Sequence, residues 1–422
     1  MTSTDASNRV PEEPSAAPTN GDGSSMFASF AVRPFRIIWI GTFLYYMSIF
    51  TGIIARGALA KDLGGTNTAL GIVTLAFGAT SLLFTPIGGV MADRFPKRVV
   101  MITSTMLLAL SSGWLAVTEF LDITEFWMLV VVSSIQAVAF ALLVPARMAY
   151  TVELVGPSLI PNAVALAQVS MNFNRVLGPA LAGAMLGVAS LGYRAIYTYA
   201  AVLGILAAIC FSFLGPGAPD SSRPRRAPLA EMIEGVSYAR SNTTIRLVMV
   251  LAIAITMVGF PYVAFLPSVS EDFFDAGAAG FARLSLVGAV GGLVAGLFIA
   301  RSSLAQGRSI QFWSAMGIGA SLIFLGSAQT FLLAGVAATL LGASTAGFQS
   351  MNGTMALSAA DPALHGRMQS LLGLGFSAFG LASLPLGMLA DLIGLRTTLG
   401  LMGGTVMLIA ITVQLYWRKI EP

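Results

Sequence analysis

A chain of 422 residues that is 56% hydrophobic, only 10% charged and +0.82 in mean hydropathy cannot cover a water-facing surface of its own. Its net charge of +4 therefore gives no reason to expect nucleic acid, because in a membrane chain the placement of Lys and Arg matters more than their sum. One His and one Cys leave no material for a disulfide, a His/Cys metal site or a Cys–His dyad; none of Lys61, Lys97 and Lys419 follows a glycine, which excludes a G-x-x-x-x-G-K-[ST] phosphate loop.

Residues 1–32, rich in Ser, Thr, Pro and acids, predict a disordered tail. A spanning helix needs about 20 mostly apolar residues. That ruler predicts twelve. Six lie near 36–58, 69–92, 99–118, 126–147, 163–187 and 194–214, an amino-terminal bundle over 33–214. A polar linker follows at 215–245, and its end, Leu229 to Arg240, has the pattern of an amphipathic surface helix. Six more spans lie near 246–267, 278–300, 309–328, 330–355, 366–391 and 396–416, a carboxy-terminal bundle over 246–422 with a short tail. The expected fold is all-α and membrane-embedded, twelve transmembrane helices in two six-helix bundles related by pseudo-two-fold symmetry. With the amino terminus inside, most of the Lys and Arg fall in inside segments, while LDITEF and SEDFFDAG outside carry only acids. The positive-inside rule thus predicts both termini in the cytoplasm and a multi-pass protein of the inner (plasma) membrane.

One short segment concentrates charge. GGVMADRFPKR, residues 88–98, brings Asp93, Arg94, Lys97 and Arg98 into a tight turn between spans two and three. Its basic residues hold the turn inside. Glycines 88 and 89 allow another helix to come close, and Asp93 can accept hydrogen bonds from the free amides of a neighbouring helix start. An internal echo exists: GVMAD (89–93) is followed by Arg98, and GMLAD (387–391) by Arg396, both reading G-x-x-A-D-x4-R. They end spans two and eleven, the middle members of the first and last triplets, which suits inverted three-helix repeats.

GGVMADRFPKR resembles the loop 2–3 signature of the major facilitator superfamily, with Pro96 where a glycine is usual. NRVLGPALAG (174–183) resembles the Gly-Pro motif of antiporters in span five, with Ala182 in place of the first closing glycine. LLVPARMAYTVELVGPSLIPNAVAL (142–166) and HGRMQSLLGLGFSAFGLASLPLGMLADLIGLR (365–396) resemble the drug:proton antiporter branch that holds enterobactin-type siderophore and macrolide exporters. The resemblance implies that Asp93 latches span two to the start of span eleven, with Lys97 or Arg98 completing a cytoplasmic gate. It places Gly89, Arg94 and Arg367 in that gate, and Gly178, Pro179 and Gly183 at a bend in span five.

For substrate contact the residues themselves are suggestive. Arg175 lies near the middle of span five, where a charge costs about 2.5–3.5 kcal/mol on insertion scales. Gln168, Asn172 and Arg175 share one helical face, the pattern of a cavity lining. Gln136, Tyr45, Tyr46, Gln349 and Asn352 are weaker candidates, equally readable as interhelical hydrogen bonds. Arg56, near the outer end of span one, is expected to snorkel. No acid falls near a span centre, so a coupling carboxylate would have to lie at a span end, such as Asp93, Glu153 or Asp361.

The expectation is a secondary active transporter, proton-coupled, exporting small amphipathic molecules such as drugs or a siderophore by alternating access, as a monomer in the lipid bilayer. It needs no cofactor, metal or nucleic acid and performs no enzyme chemistry. A lipid or lysolipid flippase on the same fold and a non-transporting receptor remain open, as does uptake rather than export.

Overall fold

The computed structural model describes residues 27–188, 190–217, 237–238, 240–299, 306–361 and 365–420. All regular structure among them is helical: α1 (Arg33–Gly64), α2 (Asn67–Arg94), α3 (Lys97–Phe120), α4 (Phe126–Val155), α5 (Ile160–Leu186), α6 (Gly192–Ser212), α7 (Thr243–Phe274), α8 (Gly277–Ile299), α9 (Gly307–Ser327), α10 (Phe331–Ser358), α11 (His365–Ile393) and α12 (Leu395–Ile420). Ten of the described helices are long and apolar enough to cross a membrane. The predicted linker helix falls almost wholly outside the described residues.

Local chemistry sets the boundaries. Gly65, at φ 67°, closes α1 with its amide on the Lys61 carbonyl; only glycine adopts this conformation without penalty. Thr66 then caps α2, its hydroxyl accepting from the Ala69 amide at 3.1 Å. Pro96 turns the chain from α2 into α3, giving the tight connection predicted there. The seventh span differs from expectation. It runs to Phe274, not 267, and is broken into Thr243–Gly259 and Tyr262–Phe274. Pro261 lies at the break: it lacks an amide hydrogen and its ring crowds the preceding turn. The end of the predicted tail is also ordered. A 3-10 turn at Ala28–Ala31 docks on the start of α5, where the Ser29 amide donates to Asn162 Oδ1 at 2.9 Å.

Packing repeats with a shift of six helices. In the first half α2 packs on α4, α3 on α6 and α4, and α1 on α5 and α6. In the second, α8 packs on α10, α9 on α12 and α10, and α7 on α11 and α12. Across the halves the main contacts are α2 on α11 and α5 on α8, which the same shift exchanges. This is the pseudo-two-fold relation expected of two six-helix bundles.

The halves meet unevenly along the helices. At the distal end, where α1 runs into α2, one continuous core joins both halves; it includes Ala58, Leu70, Val73 and Ala182 from the first and Phe265, Phe281, Ala282 and Ala390 from the second. At the terminal end, where the chain enters α1 and leaves α12, the buried clusters are separate: one from Phe35 to Leu214, the other from Ile245 to Trp417.

Candidate functional site: a latched end and a polar wall

Small residues let α2 and α11 approach at the distal end. A Cβ on Gly71 would lie 2.7 Å from the Ser383 carbonyl oxygen and 2.9 Å from Leu384 Cα. One on Gly380 would lie 2.6 Å from Gly78 Cα. Because backbone faces backbone, no rotamer change relieves a larger side chain there. The close approach carries the carboxylate of Asp391 to the start of α2. It accepts from the Asn67 amide (2.9 Å) and Nδ2 (3.0 Å) and from the Thr68 amide (2.9 Å) and hydroxyl (2.5 Å). A helix start has free amides and a partial positive charge, so a carboxylate is its natural partner. Arg396, the last residue of the repeated motif, donates to the carbonyls of Gly326 (3.0 Å) and Ala328 (2.8 Å) and covers the Phe273 ring at 4.0 Å. A second link between the halves here is Lys61–Asp272, at 2.8 Å.

The first copy of the motif is not engaged in this way. Asp93 is exposed, and among the described residues no hydrogen bond or ion pair holds it. Lys97 pairs instead with Glu153 of α4 at 3.0 Å, so the expected Asp93–Lys97 latch is absent from this conformation. Arg94 is exposed, and the Arg98 amide donates to the Pro216 carbonyl at 3.3 Å. Gly88 packs on the Ala141 backbone of α4, within its own bundle, and among the described residues nothing lies within 4 Å of a Cβ on Gly89. Arg367 lies in the first turn of α11, with its side chain outside the described set.

On α5, Gln168 and Asn172 are exposed and Arg175 half-buried. The Arg175 guanidinium lies 6.0 Å from the Phe50 ring centroid. Cation–π contact of this kind contributes about 0.5–2 kcal/mol, part of what a membrane-level charge costs. Gly178 brings α5 against Phe50 of α1, Gly183 brings it against Ala282 of α8, and Pro179 lies inside the helix between them.

Four weaker candidates are not on that wall. Tyr45 is fully buried, Tyr46 is 4% exposed beneath Arg147, Gln136 accepts from Arg56 Nη1 and donates to Ser112 Oγ, and Asn352 accepts from Gln311 Nε2 at 3.1 Å. Gln349 is half-buried. The snorkelling expected of Arg56 is also corrected: α1 continues to Gly64, so Arg56 lies inside, 7% exposed, bound to a neutral amide. Sequence reading missed Arg147 and the fastening role of Asp391; for Asp391 the repeated G-x-x-A-D-x4-R was a usable signal, whereas nothing in the spacing distinguished Arg147 from a topology-setting arginine.

Two membrane-spanning bundles joined across α2–α11 and α5–α8 define a class, the twelve-helix transporters. The model of the Major Facilitator Superfamily matches residues 38–381, and the chain belongs to that family. It is 24% identical over 390 residues to macrolide efflux protein A of Streptococcus pyogenes, covering 89% of this chain and 94% of that protein. It is 22% identical over 395 residues to the staphyloferrin A transporter of Staphylococcus aureus, covering 92% and 97%. Among solved structures, a POT family transporter in complex with 5-aminolevulinic acid superposes with a TM-score of 0.75 at 13% identity, over 92% of this chain and 97% of that one. The chain is thus a multi-pass membrane transporter of small molecules, not an enzyme.

Proposed function

We propose that this transporter is a proton-coupled exporter of small amphipathic molecules, drugs or a siderophore, working by alternating access in the plasma membrane with both termini in the cytoplasm. The observation that carries the reading is the unequal joining of the halves: one shared core at the distal end, two separate clusters at the terminal end, and the Gln168–Asn172–Arg175 face exposed along α5. With the termini inside, this is the inward-facing conformation, and substrate enters from the cytoplasm between bundles 33–214 and 246–422. Bundles of this kind rock about a central site. In the outward-facing conformation the Asp391 latch opens, and Asp93 takes up the equivalent position at the start of α11, with Arg94, Arg98 and Arg367 around it. Gly178, Pro179 and Gly183 give α5 the close contacts and the bend it needs during that exchange. The name of one relative, a macrolide efflux protein, supports export over uptake, and that of another, a staphyloferrin A transporter, supports a siderophore among the substrates.

The test is flux in everted vesicles for dyes, macrolides and a catecholate siderophore, with and without a collapsed proton gradient. Accumulation that disappears with the gradient supports coupled export. Folded protein with no flux, or flux indifferent to the gradient, overturns it.

A further inference from the structure

We propose that a recess between α1, α4 and α5, about 10 Å³ in volume, receives one oxygen of an anionic group, a carboxylate or a phosphate-type head. The recess is lined by Phe35, Trp39, Thr42, Arg147, Thr151 and Ser170, among others. Three of its polar atoms, Thr42 Oγ1, Arg147 Nε and Ser170 Oγ, are buried without a hydrogen-bond partner. Thr42 is 4% and Ser170 2% exposed. Folded proteins satisfy nearly all such atoms, so three unsatisfied atoms around one recess point to a missing partner.

The chemistry of the three selects that partner. A guanidinium only donates, and both hydroxyls can donate by rotation. A group that accepts from all three at once and carries negative charge fits; a cation does not. The charge is otherwise uncompensated. The ion pairs among the described residues are Lys61–Asp272, Lys97–Glu153 and Arg194–Asp122, and Arg147 is in none of them. Its visible support is the Tyr46 ring, 5.9 Å below. The remaining polar groups of the lining are already used: the Thr151 hydroxyl donates to the Arg147 carbonyl at 2.8 Å and Trp39 Nε1 to the Leu166 carbonyl at 3.0 Å. They form walls and leave the three free atoms as the binding set. Tyr46 adjoins Phe50 with ring centroids 6.3 Å apart, and Arg175 lies over Phe50, so the recess and the α5 wall are connected by one aromatic edge of α1.

The recess rests on the exporter reading only for the owner of the anion, which is either the transported molecule or an anionic lipid. The experiment therefore uses equilibrium binding, not flux. Full-length protein in phosphatidylcholine nanodiscs is titrated with acetate, citrate and inorganic phosphate, at constant chloride, by calorimetry. Saturable binding is expected, weakened tenfold or more by Arg147→Gln and about threefold by Thr42→Val or Ser170→Ala, with Arg147→Lys between. Thr42→Val and Ser170→Ala remove a hydroxyl at nearly constant shape and carry the test if Arg147→Gln does not fold. Repeating the titration in phosphatidylglycerol nanodiscs separates the sources: loss of soluble-anion binding there assigns the recess to a lipid head group, and unchanged binding assigns it to the transported molecule. No saturable binding of any anion in either nanodisc, or binding indifferent to all the substitutions in folded protein, overturns the site. Flux enters none of these outcomes, so failure of the export reading would be seen separately.

Discussion

The same ten-residue pattern ends α2 and α11, yet the two copies have different surroundings. Ala92 and Ala390 are both buried, at 2% exposure. Beyond them the copies diverge. Asp391 caps α2 with four hydrogen bonds and Arg396 closes on the end of α9, while Asp93 is exposed and Lys97 has turned to Glu153. Gly387 faces the Asn67 backbone; among the described residues nothing lies within 4 Å of a Cβ on its counterpart Gly89. The same four fixed residues in unequal surroundings show that the motif does not by itself form a latch in this conformation. It supplies a carboxylate and a glycine approach, and the opposing helix start decides whether they are used.

The comparison can be broken at the distal end with the largest effect. Gly71→Leu pushes a side chain into the α11 backbone; overpacking of this kind costs typically 1–3 kcal/mol. Near the upper figure, the distally closed form loses about a hundredfold in population. Spin-label distances across α2 and α11 are expected to lengthen at the distal end, with transport strongly reduced. Unchanged distances would mean the close approach is not what holds that end.

Asp391→Ala removes the carboxylate but keeps the packing. Loss of an N-cap costs about 1 kcal/mol and of charged hydrogen bonds somewhat more, discounted here because Asp391 is exposed. An effect of about 2 kcal/mol is expected, roughly a thirtyfold shift read in the same distances. Asp391→Asn, which can still accept, should shift it less. Equal effects of the two would argue against charge at the helix start.

Lys61→Ala deletes the second link between the halves. With Asp272 39% exposed, the pair is worth at most about 1 kcal/mol, and added salt should mimic the substitution. An effect larger than that of Asp391→Ala would move the weight of the closed end to the ion pair.

Asp93→Asn is the smallest perturbation of the conformation described. Asp93 is exposed and has no partner among the described residues, so stability should change by no more than about 0.5 kcal/mol. Transport should nevertheless fall if Asp93 fastens the opposite end later in the cycle. Normal flux in folded Asp93→Asn protein would remove its gating role and leave the two copies unequal in function as well as in contact.

The sequence by itself determined the class and the order of the helices, but it ended some of them early: α4 runs to Val155, not 147, and α1 to Gly64, not 58. Twenty-residue apolar runs have one solution in a bilayer, because each backbone amide must be satisfied within its own segment. It also placed Gln168, Asn172 and Arg175 on one face of α5, since a 3.6-residue period brings them together wherever the helix goes. The break in α7 was not legible in the sequence, because an apolar run does not report the interruption of its own hydrogen bonds. What only the tertiary structure decided were pairings between distant segments. Arg56 and Gln136 are 80 residues apart, and Asn67 and Asp391 are 324 apart. The three unsatisfied donors around Arg147 come from three helices. Composition and periodicity constrain each helix separately, whereas the angle at which α2 crosses α11, and hence which copy of the motif meets a helix start, depends on the packing of both bundles together.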